Sequence, residues 1–451
     1  MKEQHLAKPY EYSVDKNDKP GFFYGWVVIL GCFLATLSFG TIFAFGVFFT
    51  ELEREFHWSA TVISSIPPVM MAVTIIATLF GGWVVDRYGS RTLLISATLL
   101  VGPAIALLSQ AESLWHFYLL YTISAVGGAL ILPIPTSVVQ KWFTEKRGLA
   151  LGLVTAGMGG GRFVYAPLAG LLIQDYGWRM AYLVLGSLTM LLLFLATLTI
   201  VDSPEKKGQR PYGARKSPQG EKASESSHRR ETQSWTVKEA MKTWAFPGIC
   251  LYFFLLVVAG NMVDTHLVRY IFMEQKLTTE AVAAFALGLT GGISIIGRIG
   301  GGAMTPRIVG WKQGLVFCTI VSGIMMLWLR QIESMGMLWA FAVGYGLFQG
   351  IRVPLIPGLI GSYYGPKSLA SLIAIATACC MLGGATGTIL GGVIYDLQGS
   401  YSTAFLIGAI CFIAAALLAL TFKTPRKNSC MSMQETNMNL IEIKGQGLMN
   451  K

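Results

Sequence analysis

Trp142-Phe143-Thr-Glu-Lys146 has a counterpart in Tyr363-Tyr364-Gly-Pro-Lys367, about 220 residues further along the chain. Both stretches place an aromatic pair shortly before a lysine. The same offset recurs in three further matches: Leu149-Ala150 with Leu369-Ala370, Pro133 with Pro354, and Ile173-Gln-Asp175 with Ile394-Tyr-Asp396. Each match is weak alone, but their shared offset predicts that the chain is built from two related halves.

The composition places these halves in a membrane. Of 451 residues, 53% are hydrophobic and 13% are charged, with a mean hydropathy of +0.55. A soluble domain would be about 25% charged. Apolar runs of about twenty residues, each able to cross roughly 30 Å of hydrocarbon, recur along the chain. They predict an all-α membrane protein with 12 transmembrane helices in two six-helix pseudo-repeats, at about 22–50, 60–85, 91–110, 114–140, 147–174, 178–201, 244–272, 279–304, 313–330, 336–363, 369–395 and 401–422.

These spans divide the chain into five parts. The first twenty residues have no apolar core, so no cleavable signal peptide is expected. The segment between the halves is charged and poor in apolar residues, which predicts a solvated, mobile linker. We expect an N-terminal tail at 1–21, a six-helix half at 22–201, the linker at 202–243, a second half at 244–422 and a C-terminal tail at 423–451.

The positive charges predict the orientation. With both termini and the linker on one side, that side carries 27 Lys and Arg residues and the opposite side carries 5. Loops rich in Lys and Arg face the cytoplasm. We therefore expect a multi-pass protein of the cell (inner, or cytoplasmic) membrane with both termini cytoplasmic. This asymmetry accounts for the net charge of +11. The expected partner is the lipid bilayer, with no nucleic acid, and the expected state is a monomer.

The loop after the second span reads Gly82-Trp-Val-Val-Asp86-Arg87-Tyr-Gly89-Ser-Arg91. It resembles the signature G-x-x-x-D-R-x-G-x-[RK] of the major facilitator superfamily, whose two parallel six-helix halves rock about a central cavity. An acid here can pair across the halves and must release when the cytoplasmic side opens. We predict a cytoplasmic gate at Asp86, Arg87 and Arg91. The second copy, Gly302-Ala-Met-Thr-Pro306-Arg307-Ile-Val-Gly310, has lost the acid.

A second motif covers the entry to the fifth span. It reads Lys141-Trp142-Phe143-Thr-Glu-Lys146-Arg147-Gly148-Leu149-Ala150-Leu-Gly152 and continues through Ala156-Gly157-Met-Gly159-Gly160-Gly161. It resembles the fifth-span signature of the monocarboxylate transporters and the bacterial oxalate:formate antiporter group. Gly21-Phe-Phe-Tyr-Gly25-Trp26 is similar to the first-span entry of that family. His266-Leu267-Val268-Arg269-Tyr270 is similar to H-L-V-P-Y in bacterial relatives, with Arg269 in place of the proline. The glycines are expected to let helices approach closely.

Three arginines, Arg162, Arg298 and Arg352, lie inside predicted spans. A charge at that depth costs a few kcal/mol and is rarely kept without a partner or a purpose. Arginine stays protonated, and its planar fork suits a carboxylate. We therefore predict all three as binding residues for an anion.

The three arginines differ in their depth and in their resemblance to the family pattern, so their expected roles differ. Arg298 matches the eighth-span arginine that contacts the substrate carboxylate in relatives, although it could instead extend to the cytoplasmic surface. Arg352 lies too deep in its span for that. Arg162 is either a second carboxylate clamp or a structural partner of Asp264. The lysine that the oxalate:formate antiporter carries in span eleven has no counterpart at 369–395.

Four further polar residues complete the predicted site. Tyr121 and Asn261 are candidates for hydrogen bonds to the substrate, with aromatic packing as the alternative role of Tyr121. Asp264 and His266 are candidates for proton coupling, since histidine titrates near neutrality. Asp264 has a second possible role, which is to neutralise a nearby arginine. Three buried cations and one acid favour an anion in the cavity.

The expected function is secondary transport of small organic anions, mono- or dicarboxylates, by alternating access, as anion exchange or proton symport. The alternatives are an efflux carrier for another small amphipathic compound, and a transporter-like sensor of carboxylates. No G-x-x-x-x-G-K-[ST] loop, nucleophile–base pair or metal-ligand spacing occurs in the sequence. We therefore expect no enzymatic activity, no cofactor and no metal.

Overall fold

A computed structural model describes residues 22–131, 133–143, 145–213, 235–365 and 368–425. For 78–89, 133, 136, 140, 147–148, 302–308 and 370 the description covers the backbone alone. The predicted N-terminal tail, most of the C-terminal tail and the middle of the predicted linker lie outside it. The described residues are helical and contain no strand, only an isolated bridge between Phe143 and Tyr212.

The first half consists of consecutive helices that run back and forth along the bundle axis. Two helices separated by Ser38 and Phe39 form the first membrane crossing, since one candidate span, Gly25–Phe56, contains both. The helices are α1 (Gly25–Leu37), α2 (Gly40–Phe56), α3 (Ala60–Ser64), α4 (Ile66–Leu107), α5 (Leu114–Ile131), α6 (Pro133–Trp142) and α7 (Arg147–Thr199), with a 3₁₀ turn at Leu108–Gln110.

Helix α7 is two crossings joined at a kink. Its 53 residues would extend about 80 Å as one straight helix, far more than a bilayer. Gly177 breaks it with φ of 83° and ψ of 165°, a conformation that glycine adopts readily. A β-carbon on Gly157 would lie 2.1 Å from Thr36 Oγ1, and one on Gly31 would lie 2.3 Å from Thr199 Oγ1. Both ends of α7 thus contact α1, so the chain reverses between them.

The second half repeats the pattern with separate helices. After α8 (Val237–Lys242), which a capping box of Thr236 and Glu239 begins, six long helices follow. They are α9 (Ala245–Arg269), which continues into a π-helical turn at Tyr270–Glu274, α10 (Glu280–Ile308), α11 (Trp311–Leu329), α12 (Met335–Tyr364), α13 (Leu369–Gln398) and α14 (Ser402–Leu420).

The prediction of twelve transmembrane helices in two halves is confirmed. The described residues hold 11 candidate spans, and one of these, Leu149–Thr199, contains the two crossings of α7. Helix α4 contributes two candidates, Ala60–Ala77 with α3 and Ser90–Gln110.

Both described ends of the predicted linker pack on the bundle. Tyr212 N donates to Trp142 O at 2.8 Å, and Glu145 N donates to Tyr212 O at 3.0 Å. On the other half, Trp235 N donates to Tyr364 O at 3.1 Å. We call this end of the bundle the linker end. The opposite end, which carries residues 57–59 and 399–401, is the far end.

The two halves meet where glycines remove side-chain volume. A β-carbon on Gly159 of α7 would lie 2.8 Å from Gly291 O of α10. A β-carbon on Gly46 of α2 would lie 2.7 Å from the carbonyl oxygens of Asp264 and Thr265 on α9. Such close approach is typical of membrane helices, whose interfaces favour small residues. It brings the polar side chains of opposite halves within reach of each other.

Glycine packing gives a first prediction. Gly157→Ala should destabilise the protein by about 1–3 kcal/mol, because the added methyl group overpacks the contact with α1. Gly152→Ala is the matched control on the same helix, where a β-carbon would meet nothing within 4 Å. It should be neutral or stabilise by up to about 1 kcal/mol, as alanine is the better helix former. Thermal unfolding in detergent measures both, and equal stability of the two variants would contradict the packing assignment.

Candidate functional site

An ion pair joins the two halves near the middle of the bundle. Arg162 of α7 donates from Nη2 to Asp264 Oδ2 of α9 at 2.7 Å. The side chains of Arg162 and Asp264 are 6% and 13% exposed. Removing both charges from water is costly, and a close charge-assisted hydrogen bond offsets that cost. This contact fits the alternative in which Asp264 neutralises an arginine, and proton coupling by Asp264 stays a prediction.

The rest of the Arg162 guanidinium is also held by the second half. Its Nη1 donates to Gln349 Oε1 at 3.2 Å and lies 3.4 Å from Thr290 Oγ1. The guanidinium also lies 4.3 Å from the centre of the Phe43 ring in its own half. Three helices of the second half, α9, α10 and α12, thus converge on one arginine of the first.

Two of these partners were missed by the sequence analysis. Thr290 and Gln349 are neutral residues within apolar runs, and no charge or spacing distinguished them. Arg162 can reach these two side chains partly because residue 291 is a glycine. A β-carbon there would lie 2.5 Å from Arg162 Cβ. A larger residue at 291 would block the path of the arginine side chain.

Arg298 also crosses between the halves, closer to the linker end. Its Nη1 donates to the backbone oxygen of Thr155 on α7 at 2.7 Å. It lies two helical turns beyond Gly291 on α10, or about 10 Å along the axis from Arg162. Its Nε is buried and has no hydrogen-bond partner. Among the described residues no acid lies within ion-pair distance of Arg298, so its charge is balanced only by a carbonyl dipole.

Two more buried polar atoms near the ion pair lack a protein partner. They are Asp264 Oδ1 and the hydroxyl oxygen of Tyr345 on α12. A β-carbon on Gly260 would lie 3.8 Å from that hydroxyl, and Gly260 precedes Asp264 by one turn on the same face of α9. The interface therefore contains three polar groups without a partner: the Asp264 Oδ1 acceptor, the Tyr345 hydroxyl group and the Arg298 Nε–H. A polar ligand or water would satisfy their hydrogen bonds.

Arg352 is buried on a different side of α12. It is 4% exposed, donates from Nη1 to Ser322 Oγ at 2.9 Å, and lies 5.2 Å from the centre of the Phe412 ring. These contacts lie on α11 and α14, within the second half. No acid in the described part of the chain forms an ion pair with it. Its role in substrate binding stays a prediction, and the structure does not join it to the interface between the halves.

Tyr121 and Asn261 also have protein partners. The hydroxyl group of Tyr121 lies 3.1 Å from that of Tyr182, and its ring packs edge-on against Phe45. These contacts are within the first half and fit the packing alternative. Asn261 Nδ2 donates to Val257 O of its own helix at 3.3 Å, and its side chain stays half-buried one turn before Asp264.

His266 is held on both ring nitrogens. Its Nε2 lies 3.0 Å from Thr388 O, and its Nδ1 lies 3.2 Å from Tyr401 Oη. Because a carbonyl oxygen only accepts, the hydrogen is on Nε2, and Nδ1 accepts from the tyrosine. Proton uptake at Nδ1 would reverse that hydrogen bond and add a positive charge beside Arg269, which also donates to Tyr401 Oη. This arrangement favours a structural role, and proton coupling by His266 stays a prediction.

The predicted cytoplasmic gate is described only in part. The side chains of Asp86 and Arg87 lie outside the described residues, while the backbone of α4 continues through them. Arg91 is exposed near the linker end. Directly before it in the chain, Ser90 N donates to Asp202 Oδ1 at 3.1 Å. Burial would raise the pKa of Asp202, but hydrogen bonds from Lys206 and Ser90 outweigh burial and lower it.

The central ion pair gives a second prediction. Asp264→Ala should destabilise the protein by about 3–5 kcal/mol, because it leaves the Arg162 charge buried without a partner. The double variant Arg162→Met with Asp264→Leu should recover most of that loss, since apolar side chains of similar volume need no charge compensation. Thermal unfolding in detergent measures both proteins. A double variant as unstable as the single one would show that the charge pairing is not the source of the stability.

Comparisons with known proteins agree with this architecture. The sequence model described as Major Facilitator Superfamily matches residues 30–335 and 310–432. The chain is similar to monocarboxylate transporter 12 of Rattus norvegicus, with 26% identity over 88% of this chain and 84% of that protein. It is also similar to monocarboxylate transporter 13 of Rattus norvegicus, with 25% identity over 93% of both chains.

A solved structure shares the fold. It is a bacterial homologue of the human lysosomal transporter Spinster in an inward-facing, unoccupied conformation, with a TM-score of 0.64, 15% identity, and coverage of 89% of this chain and 96% of that one. The family resemblance drawn from the sequence motifs is confirmed. With twelve helices in two halves and a match across nearly all of them, this chain belongs to the Major Facilitator Superfamily of transporters.

Proposed function

We propose that this chain is a secondary carrier for small organic anions, mono- or dicarboxylates, that works by alternating access. The observation that supports the proposal is the excess positive charge between the two halves. In the described central part of the interface, the two guanidinium groups of Arg162 and Arg298 are accompanied by a single carboxylate, that of Asp264. An anion that binds there supplies the missing negative charge.

Arg298 is the group we propose for the substrate carboxylate. It has a buried Nε–H without a partner, and its remaining hydrogen bond goes to the Thr155 carbonyl of the other half. A carboxylate would pair with the free edge of the guanidinium in a charge-assisted, two-pronged contact. The similarity to proteins named monocarboxylate transporters supports the same ligand class.

The proposed transport cycle is based on the polar contacts that join the two halves. Arg162 and Arg298 each make polar contacts across the interface, so the halves can separate on one side only if these contacts exchange or break. A bound anion neutralises the excess charge and lowers the cost of that rearrangement in hydrocarbon. An empty cavity keeps the excess charge, which favours exchange of one anion for another. If Asp264 takes up a proton during the cycle, the same site supports proton symport.

The proposal includes a location. We place the carrier in the cell membrane as a monomer with both termini cytoplasmic, from the distribution of Lys and Arg residues. In that orientation the linker end faces the cytoplasm and the far end faces the exterior.

Transport assays with purified protein in liposomes test this proposal. The probes are labelled mono- and dicarboxylates of two to six carbons, with and without internal unlabelled anion and with and without a pH gradient. Uptake that requires internal anion indicates exchange, and uptake driven by the pH gradient indicates symport. Binding without flux would favour the sensor, and the absence of both binding and flux would overturn the carboxylate assignment.

A third prediction concerns Arg298. Arg298→Lys and Arg298→Gln should lower carboxylate transport by more than about 30-fold, because truncating one partner of a buried charge pair costs about 2–5 kcal/mol. Arg54→Gln is the control, since Arg54 is an exposed arginine paired with Glu51 on its own helix. All three variants should insert in the membrane and purify as the parent protein does. Normal transport by both Arg298 variants would contradict its role.

A further inference from the structure

A second ion pair joins the halves at the far end. Arg269 of α9 donates from Nε to Glu53 Oε2 at 2.8 Å and from Nη2 to Glu53 Oε1 at 2.5 Å. Glu53 is on α2, in the other half. Arg269 is 2% exposed, and the side chain of Glu53 is 28% exposed. This two-pronged geometry fixes both side chains and is the strongest form of an arginine–carboxylate contact.

The second half holds the arginine ready for this contact. The guanidinium stacks 3.8 Å from the centre of the Tyr395 ring, and its Nη1 donates to Tyr401 Oη at 2.9 Å. His266 in turn lies against Tyr401. The arginine is therefore oriented by α13 and by the start of α14, and Glu53 supplies the opposing charge from the first half.

A separate carboxylate closes the same end. Asp396, near the end of α13, accepts from Ala60 N at 2.9 Å and from Thr61 N at 2.8 Å, at the start of α3 in the first half. One turn earlier on α13, a β-carbon on Gly392 would lie 2.7 Å from Ala60 O. The halves are thus in direct contact at two places on the far end, each with its own carboxylate.

These contacts lie along the path from the central site. Gly46 packs on the carbonyls of Asp264 and Thr265, and Glu53 lies two helical turns further on α2. Helices α2 and α9 therefore run side by side from the Arg162–Asp264 pair to the far end. The site can open to that side only when α2 and α9 separate.

We propose that Glu53–Arg269, assisted by Asp396 at the start of α3, is the latch of the far end. The carrier breaks it once in every cycle, and its strength sets the balance between the form closed at the far end and the form open there. This proposal rests on the proposed alternating-access function.

Accessibility of a buried reporter tests the latch. Thr50 is 0% exposed and precedes Glu53 by about one turn on α2. Thr50→Cys would be placed in full-length protein whose seven native cysteines are replaced by serine or alanine. The rate of reaction with a membrane-impermeant maleimide is then measured in nanodiscs, where both ends of the bundle meet the solvent.

Glu53→Gln should raise the labelling rate of Cys at position 50 by more than about tenfold, since a neutral amide cannot balance the Arg269 charge. The matched control is Glu55→Gln on the same helix, because Glu55 pairs with Arg179 of its own half at 2.6 Å. It should stay within about twofold of the parent. The charge swap Glu53→Arg with Arg269→Glu should return the rate toward the parent value, which loss of packing alone would not do.

An unchanged labelling rate in Glu53→Gln, or a charge swap as reactive as the single variant, would overturn the latch. If Glu53→Gln does not fold, Arg269→Lys keeps the charge, removes the two-pronged geometry and should give the same increase. Labelling does not depend on the substrate. Carboxylate transport with an unresponsive latch would refute this inference alone, whereas a responsive latch without carboxylate transport would refute only the proposed substrate class.

Discussion

The cost of placing charge in hydrocarbon is the constraint on which this structure depends. In the interior of a membrane protein, a guanidinium must find an acid, a carbonyl or a ligand. Arg162 meets this requirement by reaching across the interface to Asp264, and the glycines of α7 and α10 allow the approach. The two halves are therefore joined by electrostatics at their centre, where hydrophobic packing alone would not distinguish one arrangement from another.

The central contacts and the far-end contacts meet this constraint in different ways. At the far end, Glu53 occupies both prongs of the Arg269 guanidinium, so this ion pair is complete without a ligand. In the centre, Arg298 has one carbonyl contact and a free Nε–H, and Asp264 keeps one oxygen without a partner. A complete ion pair suits a contact that opens and closes, and unpaired charged groups suit a binding site. Helices α2 and α9 connect the far-end ion pair with the central site.

Several features of the fold and site could be predicted from residues alone. The twelve spans followed from apolar runs, and the two halves followed from the shared offset between Trp142 and Tyr363. Arg162 and Asp264 were recognisable because charged residues are rare at that depth, and their pairing was one of the alternatives considered. Thr290, Gln349 and Tyr345 were not recognisable, because neutral polar residues are common in membrane helices. Arg269 was noticed only as a departure from a family pattern, since its partner lies far away on α2.

The sequence by itself determined the all-helical membrane architecture, the two halves and the residues that would be costly to bury, because these depend on composition and local order. Only the tertiary structure decided which of those residues meet. The register of α9 against α2 and α7 places Asp264 on Arg162 and Arg269 on Glu53, whereas Arg352 lies against α11 and α14. That register results from close packing between distant segments, with glycines setting the distance, and no local pattern in the chain encodes it.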